Sequence, residues 1–384
     1  MKYNLAFVIE KYFQYGGLQR DMLKFAHACH QRGHTVTIFT SQWDGPPANE
    51  LTVELCQFKA LSNHQTIKNI ARFVHALKAQ NKFDAIVGFN RVSGLDVYFN
   101  GDPCIKAKLK LQKKYWLRFL PRYRTYLKLE AALFDKKSET EVLVLSPIEL
   151  EHINKLYNYN QKKLHLLKPG ISLARLKRPQ SDLENHNKIR KQFNLSGDDF
   201  MILTIGSNFT TKGIDRSIHA INSLPGEIKQ KCHYVVVGIG KEDQFKAIAE
   251  KGNIADRVHF IGGNDNVAEF YHGADLLLHV ARSENTGLTL LEAMTCGLPV
   301  IATGICGYAT YITEANGGMV VPEPFKQATL NAFLKTALSK AHLKQWSSNA
   351  HTFCKDADIY SMCEQVTEVI LSRAKRNRKK NGLY

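Results

Sequence analysis

Residues 274–303 constrain the fold of this 384-residue chain more than any other segment. An apolar run at 275–280 predicts a buried strand, which leads into a polar loop that contains Glu284. The pattern then predicts a helix that ends at Gly297, and Pro299 opens a second apolar strand. A strand, a helix and another strand in this order predict a βαβ unit with parallel strands.

Two glutamates in this unit are placed to contact a ligand. Glu284 lies in the loop, and Glu292 lies eight positions later, inside the helix. Between them, the start of the helix presents the backbone N–H groups of Thr286 to Thr289, which lack intrahelical acceptors and favour an anion. Two carboxylates that flank an anion site suit a sugar nucleotide, with the diphosphate at the amides. The spacing alone gives equal weight to an ordinary βαβ turn with two solvated glutamates.

Strands alternate with helices along the whole chain. Further strands are predicted at residues 5–9, 35–40, 85–89, 141–145, 201–205, 234–237 and 258–261. Ser146 and Glu149 form a predicted capping box, and the segment at 167–172, which contains Pro169-Gly170, is the best candidate for a linker. The alternation predicts an α/β fold with two domains, each a parallel sheet covered by helices, and a cleft at the carboxyl ends of the strands.

Each half of the chain contains one further candidate for phosphate binding. Gly16 and Gly17 follow the first predicted strand and precede a helix, although a Gly-Gly pair is more often a simple turn. Gly206 and Ser207 follow the corresponding strand of the second half. Lys212, at the start of the next predicted helix, supplies a positive charge for phosphate.

Several segments carry a family resemblance. The stretch that begins at Glu284, ENTGLTLLEAMTCGLPVIAT, resembles the two-glutamate signature of the retaining glycosyltransferases of family four, and the chain is identified as a member of that family. Other segments resemble the branch of the family that adds glucose to a heptose of the lipopolysaccharide core. They are KYFQYGGLQRD at 11–21, GFNRVSGLDVYFNGD at 88–102, KGIDRSI at 212–218 and GICGYATYI at 304–312.

The resemblance implies a fold and an activity. The fold is the GT-B type, with two Rossmann-like domains that face a cleft: an acceptor-side domain at 1–168 and a nucleotide-sugar domain at 169–355, with a terminal helix at about 356–384 packed back on the first domain. The activity is transfer of glucose from UDP-glucose to a heptose of the lipopolysaccharide inner core, with retention of configuration and without a metal ion or other cofactor. The alternatives are another UDP-sugar-dependent transferase, or a sugar-nucleotide epimerase of the same fold.

The resemblance also assigns roles to residues. Glu284 contacts the donor sugar, Lys212 stabilises the leaving diphosphate, and Asp102 lies beside the donor sugar, although an Asx turn explains Asp102 equally well. Ser207 and Thr211 stand where relatives carry basic residues, which leaves Lys212 as the main side-chain charge on the diphosphate. The remaining donor-binding residues implied are Gly16, Gly17, Gly206, Ser207, Ile261, Asn285, Thr286, Gly287, Leu288, Thr289 and Glu292, of which Glu292 holds the ribose.

The net charge of +17 is unevenly distributed, and the segment at 105–128 is strongly basic. An apolar stripe at helical spacing, which Pro121 divides into two predicted helices, consists of Trp116, Phe119, Leu120, Tyr123 and Leu127. We predict that the segment binds an anionic membrane surface, the alternative being a stripe that faces the core. The membrane contacts are predicted to be Lys113, Lys114, Trp116, Arg118, Phe119, Arg122 and Tyr123. The tail at 373–380 is a second basic patch, predicted to be disordered.

Composition argues against several other classes of protein. The eight cysteines are scattered without zinc spacing, and no apolar run is long enough for a signal peptide or a membrane span. A cytoplasmic protein, peripheral at the inner face of the membrane, is therefore predicted. A nucleic acid would explain the charge, but the sequence has no helix-turn-helix, zinc-finger or RNP motif, so no nucleic-acid partner is predicted.

Overall fold

The chain divides into two compact units. The computed structural model describes residues 1–14, 16–48, 50–111, 113–177 and 188–382. One unit comprises Met1–Gly170 and Tyr360–Tyr384, and the other comprises Ile171–Ile359. The first division falls inside the linker candidate at 167–172, and both divisions lie a few residues from the predicted boundaries at 168 and 355.

The first unit is built on a seven-stranded sheet in which every neighbouring pair is parallel, in the order β5-β3-β1-β6-β7-β8-β9. Its strands are β1 (Asn4–Val8), β3 (Thr35–Thr40), β5 (Thr52–Leu55), β6 (Ala85–Gly88), β7 (Val97–Asn100), β8 (Glu141–Val144) and β9 (Leu164–Leu166), and a separate parallel pair joins β2 (Tyr12–Phe13) to β4 (Trp43–Asp44). The central strands are apolar and buried, because helices cover both faces of a parallel sheet.

The helices of this unit include α1 (Gly17–Gln31), α2 (Asn63–Ala79), α3 (Ile105–Leu111), α4 (Pro121–Leu133) and α5 (Pro147–Tyr157). The predicted cap of α5 is present, since the Ser146 hydroxyl accepts from the Glu149 N–H at 3.3 Å and Pro147 occupies the first turn. In a complete capping box the Glu149 carboxylate would accept from the Ser146 N–H. Here it accepts from the Cys104 N–H at 2.7 Å, and so it connects α5 to the residue before α3.

The second unit contains a six-stranded parallel sheet in the order β12-β11-β10-β13-β14-β15. Its strands are β10 (Phe200–Ile205), β11 (Cys232–Val237), β12 (Val258–Gly262), β13 (Leu276–His279), β14 (Val300–Thr303) and β15 (Gly318–Val321). Its helices are α6 (Leu173–Leu176), α7 (Phe209–Lys212), α8 (Ile214–Asn222), α9 (Gly226–Lys229), α10 (Asp243–Lys251), α11 (Val267–Gly273), α12 (Leu288–Thr295), α13 (Ala309–Glu314), α14 (Gln327–Ala337) and α15 (Lys340–Asp356), within the described residues.

The last helix, α16 (Met362–Lys380), packs into the apolar core of the first unit through Val366, Ile370 and Ala374. The sequence placed the start of this helix at about 356, but α15 occupies the chain up to Asp356 and a short break separates the two helices. No helix within the described ranges is long and apolar enough to cross a membrane.

The predicted disorder of the basic tail at 373–380 is wrong, because the helix continues to Lys380. Its arginines have acidic partners in the first unit: Arg373 lies 3.5 Å from Asp96, Arg376 lies 2.5 Å from Glu141, and Arg378 lies 3.7 Å from Asp84. Ion pairs with acidic residues from distant segments thus stabilise this run of basic residues, which the local sequence alone predicts to be solvated.

Candidate active site

Three glycines allow the loops at the carboxyl edge of the second sheet to pack closely. Gly206, Gly238 and Gly262 lie at the ends of β10, β11 and β12 and have positive φ angles of 149°, 148° and 77°. A Cβ atom on Gly238 would lie 2.4 Å from the Gly206 carbonyl oxygen. Ile261, one of the predicted donor-binding residues, is half-buried in β12 on the same edge.

Lys212 is positioned by left-handed residues on both sides of a one-turn helix. The sequence placed Lys212 at the start of a helix, but it ends α7 and the next helix begins after Gly213. Asn208 caps α7 with a φ of 62°, and Gly213 has a φ of 72°. A Cβ atom on Gly206 would lie 2.7 Å from Lys212 Cε, so the lysine side chain crosses directly over this glycine.

Lys212, Glu284 and His279 form a partly buried cluster at the end of β13. Lys212 Nζ lies 2.5 Å from Glu284 Oε2, and the same oxygen lies 3.3 Å from Nε2 of His279, which is fully buried. The other imidazole nitrogen of His279 lies 3.5 Å from the hydroxyl of Thr289 at the start of α12. The cluster therefore fixes the carboxylate and the ammonium group beside the first turn of this helix.

The protonation states in the cluster follow from its contacts. Burial raises the pKa of Glu284, but the hydrogen bond from His279 and the charge of Lys212 outweigh burial and hold this pKa at about 2. Burial lowers the pKa of His279 despite the adjacent carboxylate, so the imidazole is neutral at pH 7 and donates one N–H. Glu284 is therefore ionised at neutral pH and is an acceptor for hydroxyl groups there.

The helix at which the anion site is predicted, α12, begins two residues later than the sequence indicates. Gly287, with a φ of 78°, precedes the helix, which begins at Leu288. The N–H groups of Leu288 and Thr289 occupy the first turn, where no intrahelical acceptor is available. Asn285 and Thr286 belong to the preceding loop, in which the Thr286 carbonyl accepts from the Tyr308 N–H at 2.8 Å.

Glu292 has two protein partners that the sequence did not predict. The Tyr271 hydroxyl donates to Oε2 at 2.7 Å, and Arg175 of α6 lies 3.1 Å from Oε1. Burial and the neighbouring carboxylate raise the pKa of Tyr271 well above its usual value. A carboxylate oxygen can accept more than one hydrogen bond, so Glu292 retains acceptor capacity beyond these two contacts.

Two arginines fix the loop that carries Glu284. Arg282 makes a two-point contact with Asp215 at 2.6 and 2.7 Å, and it donates to the Thr210 carbonyl at 3.0 Å. Arg216 donates to the carbonyls of Val280 and Ala281 at 3.2 Å each. The loop is therefore tied to α7 and α8, the elements that position Lys212.

The predicted site residues of the first unit lie at the carboxyl edge of its sheet or at the start of α1. Gly16 precedes α1 and Gly17 is its first residue. Asp102 follows β7 and lines a cavity of about 430 Å³. No side-chain hydrogen bond of Asp102 occurs among the described residues, which gives no support to an Asx turn. Two further cavity residues, Glu10 and Asn90, follow β1 and β6.

Comparison with known proteins decides the family. Residues 185–353 match the family of glycosyl transferases group 1. The lipopolysaccharide glucosyltransferase WaaG of Escherichia coli (strain K12) is 37% identical over 95% of this chain and 98% of its own length. The chain belongs to this family of glycosyltransferases.

Solved structures agree with this membership. The crystal structure of WaaG, a glycosyltransferase involved in lipopolysaccharide biosynthesis, superimposes with a TM-score of 0.88 at 36% identity and covers 95% of this chain and 99% of the WaaG chain. Anabaena Alr3699/HepE in complex with UDP-glucose has a TM-score of 0.73 at 16% identity, covering 96% of this chain and all of its own, which supports the fold alone. The predicted GT-B fold is thereby confirmed.

Three residues of this glycosyltransferase contact the predicted site glutamates without having been predicted from the sequence: His279, Tyr271 and Arg175. His279 is the one residue with a local signal, since a histidine that ends the apolar strand LLLH is unusual in a buried parallel strand. Tyr271 and Arg175 lie far from Glu292 in sequence, so only the tertiary fold brings them together.

Ser207 stands where the family resemblance implies a basic residue. Its hydroxyl accepts from the Ile239 N–H at 3.1 Å and so holds the adjacent loop, without supplying a charge.

Within the described ranges, no group of three or more His, Cys, Asp or Glu side chains is arranged to hold a metal ion.

Proposed function

We propose that this enzyme transfers glucose from UDP-glucose to a heptose of the lipopolysaccharide inner core, with retention of configuration. The observation that carries the proposal is the cluster of Lys212, Glu284 and His279 at the start of α12, in a chain 37% identical to a lipopolysaccharide glucosyltransferase. The cluster joins an ammonium group, which suits a diphosphate, to a carboxylate that accepts from sugar hydroxyls.

The proposed mechanism uses electrostatic stabilisation without a metal ion. One N–H of Lys212 contacts Glu284, which leaves two donors for the diphosphate. These donors and the amides of Leu288 and Thr289 stabilise the negative charge that develops as the bond between the glucose anomeric carbon and the phosphate oxygen breaks. The acceptor hydroxyl attacks the same face of the sugar, and the departing phosphate oxygen takes its proton.

The proposed acceptor site is the cavity of about 430 Å³ in the first unit. Asp102, Glu10 and Asn90 supply polar groups for sugar hydroxyls, and Asn90 is oriented because its side-chain oxygen accepts from the Glu10 N–H at 2.6 Å. Tyr123 and Tyr126 supply aromatic faces for the apolar side of a sugar ring. Basic side chains in the same lining suit an acceptor that carries negative charge.

The test is a transfer assay with UDP-glucose and purified core oligosaccharide, read by mass spectrometry of the product. We expect the addition of one hexose, α-linked as in the donor, with activity retained in EDTA. Transfer from another UDP-sugar in preference to UDP-glucose would contradict the donor assignment. Strict dependence on a divalent cation would contradict the mechanism.

Glu292→Ala is expected to weaken UDP binding by about 1–3 kcal/mol, because charged hydrogen bonds to the ribose are lost. The measurement is titration calorimetry with UDP. Tyr271→Phe is the matched control, since it removes one of the two protein contacts of Glu292, keeps the carboxylate and should leave UDP affinity nearly unchanged. Equal UDP affinity in the wild type and Glu292→Ala would exclude the ribose role.

Glu284→Ala, in contrast, should lower turnover and leave UDP binding largely intact.

We also propose that the basic segment at 105–128 binds an anionic membrane surface. A 3₁₀ turn (Tyr115–Phe119) and α4 meet at Pro121, as the sequence predicts. The side chains of Trp116 and Phe119 are 62% and 72% exposed, so this part of the stripe does not face the core. Exposed aromatic residues among cations suit the headgroup region of a membrane.

A variant in which Lys113, Lys114, Arg118 and Arg122 are changed to glutamine is expected to lose binding to anionic vesicles and to retain UDP-glucose binding. Electrostatic attraction of about 1 kcal/mol per basic residue is removed at four positions. Co-sedimentation with vesicles measures the effect, and wild-type binding should also weaken as salt shortens the screening length below about 8 Å. Sedimentation of the variant at the wild-type level would show that the segment is not the membrane contact.

A further inference from the structure

A groove between α2 and α4 in the first unit is lined by several basic side chains that form no ion pairs among the described residues. Its cavity volume is about 840 Å³. The basic residues that line it are Lys68 and Arg72 of α2 together with Arg124 and Lys128 of α4, and His75 lies beside them. No acidic residue lines the groove.

The four cations lack compensation within the described residues. Lys68 and Arg72 are spaced i,i+4 on one helix, and Arg124 and Lys128 are spaced i,i+4 on the other, so each pair repels. Neither pair makes an ion pair or a side-chain hydrogen bond with another described residue. Helix α2 contains no acidic residue. The one acid of α4, Glu130, is fully buried and contacts Arg91 at 3.0 Å.

The walls of the groove combine polar and apolar groups. His75 lies 3.1 Å from the Ser93 hydroxyl, and a Cβ atom on Gly94 would lie 3.0 Å from the His75 ring, so this loop packs tightly against the imidazole. Ala71, Leu129 and Ala132 supply apolar lining, and Phe119 is exposed at the same groove. A concave surface with several cations and the Ser93 and Thr125 hydroxyl groups matches the donors that a phosphate group requires.

We propose that the groove between α2 and α4 is a phosphate-binding site, separate from the diphosphate site of the donor, for a ligand that carries at least two phosphate charges. Four cations at two helices neutralise a dianion or trianion, and a single negative charge would leave most of their repulsion in place. The ligand is a phosphate group on a lipid surface or on a soluble molecule. The site belongs to the first unit, whereas Lys212 and α12 belong to the second.

The test compares two charge-matched variants of the full chain. The groove variant carries Lys68→Gln, Arg72→Gln, Arg124→Gln and Lys128→Gln. The matched variant carries Lys113→Gln, Lys114→Gln, Arg118→Gln and Arg122→Gln, which removes the same charge from outside the groove. Inorganic pyrophosphate is titrated by calorimetry at constant ionic strength, with the donor site saturated by UDP.

We expect the groove variant to lose at least about tenfold in pyrophosphate affinity and the matched variant to change less than about twofold. Pyrophosphate should also raise the melting temperature of the wild type and of the matched variant, and not that of the groove variant. Because repulsion is removed, the groove variant itself should melt no lower than the wild type. Equal loss in both variants would overturn the proposal, since general surface charge would then explain binding, and so would wild-type affinity in the groove variant.

Vesicles identify the source of the phosphate. They contain neutral lipid with phosphatidic acid as the anionic component. If the ligand is a lipid phosphate, the wild type should bind these vesicles more tightly than vesicles of equal surface charge made with phosphatidylglycerol, and the groove variant should lose this preference. If the ligand is soluble, neither the wild type nor the groove variant should prefer phosphatidic acid at equal surface charge, while their pyrophosphate affinities differ.

Discussion

Lys212→Ala is expected to lower kcat by about 100-fold or more, in line with the loss of one donor that stabilises a transition state. Lys212 provides the ammonium group in the cluster with Glu284 and His279, and Ser207 and Thr211 supply no charge at the positions where the family resemblance implies basic residues. The developing charge on the diphosphate would then face only backbone amides. Single-turnover kinetics with UDP-glucose measure the effect on the chemical step directly.

The control for this variant is Thr211→Ala. Thr211 lies in the same one-turn helix, and its backbone N–H and carbonyl make its hydrogen bonds to Asn208 and Arg282, so the helix should persist without the hydroxyl. We expect wild-type kcat in Thr211→Ala and unchanged folding in both variants by circular dichroism. A kcat for Lys212→Ala within threefold of the wild type would exclude leaving-group stabilisation by this residue.

The βαβ unit with Glu284 could be predicted because its signals are local. An apolar strand, a glycine at the end of a helix and a proline before the next strand each act within a few residues. The same signals predict the strand Thr35–Thr40 correctly. Where a local signal was absent, as for the one-turn helix that ends at Lys212, the prediction shifted the lysine into the following helix.

The partners of charged residues could not be predicted, because they depend on contacts between distant segments. Arg376 pairs with Glu141 across 235 positions, and Arg175 pairs with Glu292 across 117. Local composition therefore indicated a solvated tail at 373–380, whereas the fold provides acidic partners there. The roles predicted for Glu284, Glu292 and Asp102 came from the family resemblance, and each remains a prediction for the experiments above.

Glu130 is the second residue whose replacement should have a large effect, in this case on stability. Its carboxylate is fully buried and accepts from the Ile105 N–H at 2.7 Å, the Lys106 N–H at 3.1 Å and the Tyr157 hydroxyl at 2.5 Å. It also lies 3.0 Å from Arg91. One side chain thus joins α4 to the start of α3 and to α5.

Glu130→Ala is expected to lower the free energy of unfolding by about 3–5 kcal/mol, the usual result of leaving one member of a buried ion pair without its partner. Arg91 would remain buried with its charge uncompensated, and the first N–H groups of α3 would lose their acceptor. Chemical denaturation followed by circular dichroism measures the change. Glu151→Ala is the matched control, since Glu151 contacts Lys155 on the surface of α5 and its loss should change stability little.

The expected loss has a consequence for the proposed acceptor cavity. Arg91 donates to the carbonyls of Asp102 and Pro103 at 2.8 and 3.0 Å, so the orientation of Arg91 by Glu130 also fixes the loop that carries Asp102. Glu130→Gln keeps the size of the side chain and one oxygen acceptor, and it should retain part of the stability while the Asp102 loop becomes less ordered. We therefore expect its KM for the acceptor to rise more than its KM for UDP-glucose. An unchanged unfolding free energy in Glu130→Ala would show that Arg91 finds another partner, and the link between this ion pair and the Asp102 loop would then be wrong.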